Sequence, residues 1–473
     1  MSEKRSYSTP RLLEQSVAPH RVHIIEHFRP EERHTHFGPQ SLQVHEMTLR
    51  IEAGAGGLRD GIALNGSEDT VVKDVLIWKV TIKEASQRNG CNDFLGVSWK
   101  ERKLSESEDL KAAVNQFIKN YEATYSVKIT SCRVDDDVVK AGDNMLSGIT
   151  RLNFDYKEHR KSKSGRAILK IPSLAALPYE QLRKTNMFDR EVHFYETLLP
   201  RLYELGQCKP FAPKLYAVTE AKALVLEDLS VDRYTPGNRL DQLDLDQSRI
   251  SLNMLATYHA LGYKYLQTLS KDDSSWSLIG SVQPTLVGRP KTESFNKFLT
   301  MIKPHLTPAL YDKMKGLEAE TLANPKIKEP ESMTVIIHGD YRTNNILFKY
   351  VDNEVREVKI IDWQLSKEAN PALDLIYFFV TSVPIKTVES HDDELLNLYL
   401  ETLNDKLGSL ETGRSYSKQE LDEDIKYYKS YFLKTICINW QEIMRAGKPG
   451  EETDKYISSA AKWLDYLERK EII

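Results

Sequence analysis

The sequence has few cysteines and no long apolar segment. Four cysteines occur among 473 residues, and no two of them form a C-x-x-C pair. This scarcity argues against the disulfide framework of a small secreted domain and favours a reducing compartment, so we expect a cytoplasmic protein. No segment approaches the roughly 18 uninterrupted apolar residues of a transmembrane helix, and the N-terminus lacks the apolar part of a signal peptide. We therefore expect no membrane span.

The chain also lacks an excess of charge of either sign. Its 65 basic and 69 acidic side chains give a formal net charge of −4. General nucleic-acid binding would favour a strong basic excess, so we expect no nucleic-acid partner, and no feature predicts a protein partner. An apolar content of 40% with 28% charged residues is typical of a globular chain. The length predicts two to three domains or one bilobal enzyme.

The periodicity of apolar residues divides the chain into a strand-rich first half and a helix-rich second half. Strands are predicted over 71–82, 127–140, 148–156 and 166–172, and a helix over 179–205. A capping box at Ser105 and Glu108 predicts the start of an earlier helix. Within the helical second half, one strand pair is predicted at 346–348 and 355–361, with a turn at Asp352-Asn353.

The most specific signal is the segment 335–364, VIIHGDYRTNNILFKYVDNEVREVKIIDWQ. Asp340 follows a short apolar run, Asn345 stands five residues later, and Asp362 ends the second strand of the hairpin. Phosphoryl transfer needs a carboxylate that orients and deprotonates the attacking hydroxyl, and oxygen ligands that hold Mg²⁺ on the nucleotide phosphates. Each residue alone is an ordinary turn or strand-end residue, but the combined pattern favours a kinase-like site.

This segment resembles the signature of aminoglycoside phosphotransferases, choline kinases and the wider protein-kinase-like superfamily. The resemblance implies that Asp340 is the catalytic base and that Asn345 and Asp362 are Mg²⁺ ligands. It also implies that His338 braces the loop and that Asp374, in PALDL, supports the loop from below. The simpler interpretation of Asp374 is a polar residue in a first helical turn. Protein kinases carry H-R-D, D-F-G and A-P-E motifs, and their absence favours a small-molecule acceptor.

A kinase-like site requires an upstream turn over the phosphates, a strand lysine and a helix glutamate. The segment GDNMLSG contains Gly142, Asn144 and Ser147, and backbone N–H groups in such a turn can hold phosphate oxygens. Lys170 lies in the apolar strand AILKI, where an unpaired charge would be costly. Glu191, in the following helix, is its natural partner. The alternatives are a strand lysine that reaches solvent and a solvated helix glutamate.

The apolar strand ALVLEDL comes next and ends in a polar turn. In a kinase this is the position of the hinge between the lobes, so backbone groups from Glu227 to Leu229 would bind adenine. The alternative is a buried strand with its exit turn, and the sequence leaves open which backbone groups would take part.

Six motifs narrow the resemblance. In chain order they are GDNMLSGITR, FDREVHFYETLLP, LVLEDL, LATYHALG, HGDYRTNNILF and IIDWQ followed by PALDLIYFF. This order resembles the ecdysteroid kinase-like family of insects and other arthropods, over about residues 125–410. That family commonly has an aromatic residue where Met145 stands and a tryptophan where Arg342 stands. Arg342 lies beside Asp340 in the sequence, and the departure there could alter the choice of acceptor.

The resemblance implies an α+β, bilobal protein-kinase-like fold. A small antiparallel-sheet N-lobe would span 111–226 and a larger, mostly helical C-lobe with the catalytic loop and the acceptor site would span 227–473. Residues 1–110 would form an N-terminal extension, partly irregular with some strands. ATP and Mg²⁺ are the expected cofactors. The expected partner is a small-molecule alcohol, such as an ecdysteroid, a related steroid alcohol or a lipophilic xenobiotic.

Two alternatives stay open. One is an acceptor of the choline, ethanolamine or aminoglycoside type, which would need clustered carboxylates or an aromatic cage. Candidate side chains for that are Asp392, Asp393, Glu394, Tyr428 and Trp440. The other is a catalytically inactive kinase fold that acts as a binding protein. Loss of Lys170, Asp340, Asn345 or Asp362 would be typical of that alternative, and all four residues are present.

Overall fold

The chain divides into two compact units, Met1–Glu101 and Arg102–Ile473. The computed structural model describes residues 12–17, 20–26, 47–52, 81–82, 97–98, 108–135, 147–159, 161–172, 186–219, 222–269, 291–323, 332–439 and 451–473. The predicted capping residue Ser105 lies outside these ranges. Of the strand predicted over 71–82, only the last two residues are described, and they are in a strand.

In the first unit, three strands form an antiparallel sheet, and two short strands pair separately. The sheet contains β1 (Leu12–Val17), β2 (His20–Glu26) and β3 (Met47–Glu52), and the separate pair is β4 (Thr81–Ile82) and β5 (Val97–Ser98). Strands that are consecutive in the sequence pair with each other in this sheet.

The second unit begins with a helix and a five-stranded antiparallel sheet in the order β6-β7-β8-β10-β9. The elements are α1 (Glu108–Tyr125), β6 (Lys128–Asp135), β7 (Ser147–Glu158), β8 (Lys161–Pro172), β9 (Leu215–Val218) and β10 (Leu224–Glu227). The strands predicted over 148–156 and 166–172 are confirmed, and β8 begins five residues earlier than expected because its pairing with β7 extends to Lys161. The strand predicted over 127–140 is confirmed from Lys128 to Asp135, and residues 136–140 lie outside the described ranges.

Alternation along β8 gives the sheet two different faces. Ala167, Leu169 and Ile171 are buried in a cluster with Phe117 of α1. Successive strand side chains point to opposite faces, so Lys170 lies on the other side, away from α1. The amphipathic helix thus covers one face of the sheet and leaves the face with Lys170 for the rest of the unit.

A helical segment follows β8 and carries Glu191. It consists of α2 (Met187–His193), a π-helical turn (Phe194–Leu198) and α3 (Leu199–Gly206). The helix predicted over 179–205 is confirmed from Met187 onward, and residues 179–185 lie outside the described ranges. The apolar stripe of this segment, with Phe194, Leu198 and Leu202, is buried in the main core.

The remainder of the unit is mostly helical, as predicted, and encloses the main core. Its helices are α4 (Leu245–Thr268), α5 (Lys291–Ile302), α6 (Pro308–Gly316), α7 (Glu318–Leu322), α8 (Ala372–Ser382), α9 (Ile385–Ser409), α10 (Lys418–Tyr427), α11 (Lys429–Lys434) and α12 (Glu451–Arg469), with a π-helical turn at Thr435–Asn439. No helix in the described ranges is both long and apolar enough to cross a membrane.

Short strands within this helical part hold the loops of the site. They are β11 (Thr235–Pro236), β12 (Val335–Ile337), β13 (Ile346–Val351), β14 (Glu354–Ile360) and β15 (Lys367–Ala369). β13 and β14 form the predicted hairpin, and β12 pairs with β15. The turn residues Asp352 and Asn353 both have positive φ, as a two-residue type I′ turn requires.

Helix α4 packs directly against β12, the strand that leads into the predicted catalytic loop. At the contact the helix has Gly262, and a Cβ there would lie 2.9 Å from the backbone nitrogen of Ile336. The missing side chain lets the helix approach the strand closely, so the position of β12 is set by backbone contact.

Replacing Gly262 by alanine tests this approach. Alanine has the higher helix propensity, but its Cβ would force α4 and β12 apart, so we expect a loss of ~1–3 kcal/mol in the free energy of unfolding. Gly408 in α9 is the matched control, since a Cβ there meets nothing within 4 Å. Gly408→Ala should be neutral or stabilise by up to ~1 kcal/mol. Urea denaturation measures both variants, and equal effects at the two glycines would contradict the close approach.

Candidate active site

The predicted catalytic loop connects β12 to β13 and ends in a 3₁₀ turn at Thr343–Asn345. In the β13–β14 hairpin, Ile346 pairs with Ile360, so the two ends of the hairpin lie side by side. The backbone N–H of Ile361 donates to the carbonyl of Asn345 at 3.0 Å. This register brings Asp362 next to the loop, as the sequence predicted.

The carboxylate of Asp340 accepts hydrogen bonds from three side chains. Its Oδ1 accepts from the Tyr377 hydroxyl at 2.7 Å and from Arg342 Nε at 3.0 Å, and its Oδ2 accepts from Asn345 Nδ2 at 2.9 Å. The side chain of Asp340 is 17% exposed. The three donors hold the carboxylate in one orientation at the edge of the buried region.

The amide of Asn345 is oriented by two acceptors. Its Nδ2 donates to both the backbone carbonyl and the carboxylate of Asp340, each at 2.9 Å. Because both partners are acceptors, the NH₂ group must face them, and the amide oxygen points elsewhere. Asn345 therefore presents an oxygen of the kind that Mg²⁺ prefers.

Asp362 occupies a left-handed backbone conformation, with φ at 71°. Its Oδ1 accepts from Lys170 Nζ at 2.8 Å, and no donor to its second oxygen is recorded within the described ranges. Those ranges contain no group of three or more His, Cys, Asp or Glu placed to hold a metal ion. Mg²⁺ bound through substrate phosphates usually takes only one or two protein ligands, so Asn345 and Asp362 fit such a site.

Lys170 joins two acidic side chains in the interior. Its Nζ lies 2.8 Å from Glu191 Oε1 and 2.8 Å from Asp362 Oδ1, and the side chains of Lys170 and Glu191 are 7% and 0% exposed. Burial would lower the pKa of Lys170, but the charges of Asp362 and Glu191 raise it overall. Burial would raise the pKa of Asp362, and Lys170 reverses that shift and lowers it. Both groups are therefore charged at neutral pH.

The buried end of Glu191 is held by a second residue, which the sequence did not predict. Gln364 Nε2 donates to Glu191 Oε2 at 3.1 Å, and the backbone carbonyl of Gln364 accepts from Arg190 at 2.9 Å. These contacts join α2 to the turn after Asp362. Gln364 follows Asp362 by two residues in IIDWQ, but nothing in the pattern indicates that its side chain reaches a helix more than 170 residues away.

His338 links the loop to the strand before Asp362. Its Nδ1 accepts from the backbone N–H of Asp340 at 3.2 Å, so Nε2 carries the proton and donates to the carbonyl of Ile361 at 3.0 Å. Burial lowers the pKa of His338, which keeps the ring neutral. The ring also packs against Trp363, with the ring centroids 4.9 Å apart. The side chain thus braces the loop by packing and hydrogen bonding.

Asp374 lies below the loop at the start of α8, with 1% of the residue exposed. It accepts from the backbone N–H of His338 at 2.7 Å and of Gly339 at 2.9 Å. It also contacts His259 Nε2 at 3.2 Å, and the other nitrogen of that ring contacts the Tyr399 hydroxyl at 2.7 Å. Burial would raise the pKa of Asp374, but these hydrogen bonds lower it overall. Asp374 therefore remains an anion, which favours the supporting position over an ordinary first-turn residue.

His259 and Tyr377 are site residues that the sequence did not predict. His259 stands in LATYHALG, one of the family motifs, and a histidine on the apolar face of α4 was the available signal. Tyr377 comes one turn after Asp374 on α8, so both reach the loop from one helix. In the sequence, Tyr377 looks like part of the apolar run LIYFFV.

The loop needs glycine at position 339. Gly339 has φ of +82°, and a Cβ there would lie 2.4 Å from the backbone carbonyl oxygen of Leu365. Protein kinases have arginine at this position of H-R-D, and here the close approach of the 363–365 turn leaves no room for a side chain. The departure from that motif thus has a direct steric reason.

The predicted hinge residues lie where β10 leaves the sheet. The backbone N–H of Glu227 already donates to the carbonyl of Lys214 at 2.8 Å, so this group is not the one that would bind a base. Leu229 is buried and opens a 3₁₀ turn. Between them, the carboxylate of Asp228 pairs with Arg151 of β7 at 2.6 Å. This contact links the predicted hinge to β7, and the sequence did not predict it.

The predicted phosphate turn is only partly described. Gly142 and Asn144 lie outside the described residues. Ser147 is the first residue of β7, where its backbone pairs with Pro172. The strand that follows the turn therefore runs beside the strand that carries Lys170, as a kinase-like arrangement requires.

The acids considered for an amine acceptor are already paired. Asp392 accepts from Lys470 and Tyr466, each at 2.6 Å, and Glu394 pairs with Arg249 at 2.6 Å. Asp393 lies 3.9 Å from Lys418. Tyr428 is buried, and Trp440 lies outside the described residues. These side chains do not form a free carboxylate cluster.

A strand lysine that pairs with a helix glutamate and faces the acid of a nearby hairpin is the arrangement of kinase-like phosphotransferases. The fold and this arrangement are those of an α+β kinase-like phosphotransferase, which transfers a phosphoryl group to a hydroxyl. A model of the ecdysteroid kinase-like family matches residues 141–412, more than half of the chain. The chain belongs to the ecdysteroid kinase-like family, which confirms the resemblance of its motifs.

Three of the solved structures that are similar to this chain have sequence identities of 11–13% with it. A Plasmodium vivax ethanolamine kinase has 11% identity, 72% coverage of this chain, 85% of that chain and a TM-score of 0.35. A microcompartment-associated aminopropanol kinase has 12% identity, 74% and 96% coverage and a TM-score of 0.35. An aminoglycoside phosphotransferase, APH(2")-IIia, in complex with GDP and kanamycin has 13% identity, 76% and 98% coverage and a TM-score of 0.34. Likeness at this level carries no argument about the acceptor. No curated protein matches the chain.

Removing the carboxylate of Asp374 tests the support of the loop. Asp374→Ala removes the acceptor of the backbone N–H groups of His338 and Gly339 and of the buried His259 ring, and each buried unsatisfied group costs about 1–3 kcal/mol. We expect a loss of at least ~3 kcal/mol in the free energy of unfolding, measured by urea denaturation. Asp465, exposed on α12 beside Arg469, is the control, and Asp465→Ala should stay within about 0.5 kcal/mol of the parent. Similar losses in both variants would contradict the role of Asp374.

Proposed function

We propose that this protein is an ATP- and Mg²⁺-dependent kinase that phosphorylates a hydroxyl of a lipophilic small molecule, such as an ecdysteroid, a related steroid alcohol or a xenobiotic. The observation that supports it best is the convergence of Asp340, Asn345 and Asp362 beside the buried pair of Lys170 and Glu191. The N-lobe would span 111–226 and the C-lobe 227–473, with the nucleotide in the cleft between them.

Lys170 would bind the phosphates that are not transferred, and Glu191 would keep its ammonium group in place. Asn345 and Asp362 would hold Mg²⁺, which neutralises charge on the nucleotide phosphates when bound. In this structure Lys170 contacts Asp362 directly at 2.8 Å, so nucleotide binding would bring phosphate oxygens to a lysine that is already charged and oriented.

Asp340 would orient the acceptor hydroxyl for in-line attack on the γ-phosphorus. A bond forms between the acceptor oxygen and that phosphorus, and the bond to the oxygen bridging the β- and γ-phosphates breaks. ADP leaves with the electron pair, and the hydroxyl proton passes to the carboxylate of Asp340. The carboxylate is held in one orientation by Tyr377, Arg342 and Asn345. A fixed base is needed to orient the acceptor hydroxyl for attack.

The acceptor is assigned on the family alone. An amine acceptor would need clustered carboxylates or an aromatic cage, and the candidate acids Asp392, Asp393 and Glu394 each lie beside lysine or arginine. The described cysteines Cys132, Cys208 and Cys437 are free thiols, which agrees with a reducing, cytoplasmic location.

A screen with a matched inactive variant tests the proposal. The parent protein, incubated with MgATP and a panel of sterol alcohols, should yield a product with one added phosphate by mass spectrometry. Asp340→Asn should keep the fold and lower turnover by ~10²–10⁴-fold, the usual effect of losing a general base. Near-full activity in that variant would contradict the assignment of Asp340. The absence of any shift in thermal unfolding with MgATP would favour the inactive binding protein, because an active kinase must bind the nucleotide.

The magnesium site is tested separately by calorimetry. Asp362→Ala should abolish the Mg²⁺-dependence of binding of the non-hydrolysable analogue AMP-PNP, because one of two protein ligands is lost. Glu354→Gln, on the exposed strand of the hairpin, is the control and should bind as the parent does. An unchanged Mg²⁺-dependence in Asp362→Ala would rule out this ligand.

A further inference from the structure

Arg342 lies in the site with most of its hydrogen-bonding capacity unused. Its Nε donates to Asp340 Oδ1 at 3.0 Å, and its side chain is 18% exposed. A guanidinium has five N–H donors. Within the described ranges, the structure records no acceptor for the four that belong to the two terminal nitrogens. A mostly buried cation with free donors is a ready partner for an anion.

Arg342 contacts Asp340 and is close enough to Asp362 to interact with its charge. Burial would lower the pKa of Arg342, but the negative charges of Asp340 and Asp362 contribute to an overall rise. The guanidinium is therefore permanently charged. Acidic and basic side chains are paired throughout the site, since Lys170 contacts Glu191 and Asp362, and Arg342 contacts Asp340.

Holding Asp340 in place does not by itself require this arginine. The carboxylate already accepts from Tyr377 at 2.7 Å and from Asn345 at 2.9 Å. The family commonly has tryptophan at this position, which carries neither a charge nor a forked set of donors. The feature that arginine adds is a fixed positive charge with two terminal nitrogens that have no recorded acceptor among the described residues.

We propose that Arg342 is a catalytic residue that binds the γ-phosphoryl group while it passes from ADP to the acceptor. This inference rests on the proposed function. The group would travel from the side of Asp362, which holds the nucleotide, to the side of Asp340, which holds the acceptor. Both carboxylates repel its oxygens. The guanidinium in contact with Asp340 offsets that repulsion, and its fork matches two phosphoryl oxygens.

The proposed role of Arg342 does not change which bonds form and which break in the transfer. The acceptor oxygen bonds to the γ-phosphorus, the bond to the β,γ-bridging oxygen breaks, ADP takes the electron pair, and the hydroxyl proton goes to Asp340. Arg342 donates hydrogen bonds to the phosphoryl oxygens throughout and neither gains nor loses a proton.

Nucleotide affinities test the inference without any knowledge of the acceptor. Calorimetry would compare Mg·AMP-PNP, which has a γ-phosphoryl group, with Mg·ADP, which lacks it. In Arg342→Gln we expect the affinity for Mg·AMP-PNP to fall by ~10–100-fold, the range for losing charge-assisted hydrogen bonds, and the affinity for Mg·ADP to stay within about twofold. Arg342→Lys, which keeps the charge but not the fork, should lose less for Mg·AMP-PNP and also spare Mg·ADP.

Arg249→Gln is the matched control, since Arg249 is a surface arginine paired with Glu394, and it should leave both affinities unchanged. Unchanged affinities for both nucleotides in Arg342→Gln would overturn the inference. An arginine that only orients Asp340, or that binds an anionic acceptor, does not contribute to nucleotide affinity. Equal losses for both nucleotides would also overturn it. If Arg342→Gln does not fold, as judged by thermal unfolding, Arg342→Lys decides by the same criterion. Failure of the parent protein to bind either nucleotide would instead overturn the proposed function.

Discussion

The buried ammonium group of Lys170 is the constraint on which the arrangement of the site depends. A charge in the interior is costly unless it is paired, and Lys170 has two partners at 2.8 Å, Glu191 and Asp362. One partner is 21 residues away and the other 192 residues away. The sheet, the helix that follows it and the hairpin of the helical part must therefore meet at one point. Removing either acid would leave a buried charge only partly compensated.

A second buried charge determines the shape of the loop. Asp374 accepts from two consecutive backbone N–H groups, those of His338 and Gly339, which turns the chain sharply after β12. The turn is possible because Gly339 has no side chain to meet the carbonyl of Leu365. This turn places Asp340 at the edge of the interior. There its carboxylate accepts hydrogen bonds from Tyr377, Arg342 and Asn345. Stability and the geometry of the proposed chemistry come from the same hydrogen bonds.

Much of this could be predicted from short-range patterns. The strands over 128–172, the hairpin with its turn at Asp352 and Asn353, and the pairing of Lys170 with Glu191 all follow from periodicity, turn chemistry and the cost of burying a charge. The contacts of Gln364, His259 and Tyr377 could not be predicted, because each joins elements that are far apart in the chain. In the sequence, these residues look like ordinary members of a turn, a helix and an apolar run.

The sequence by itself determined which chemistry is available. The order of a strand lysine, a helix glutamate, a loop with Asp340 and Asn345 and a hairpin ending in Asp362 is written in consecutive short motifs, and it led to the family. The tertiary structure alone decided how each group is held and oriented. The hydrogen bond from Tyr377 to Asp340 joins segments 37 residues apart. The contacts of His259 with Asp374 and of Gln364 with Glu191 join segments 115 and 173 residues apart. The physical reason is that hydrogen bonds and charge pairs act over a few ångströms in space, whatever the separation along the chain.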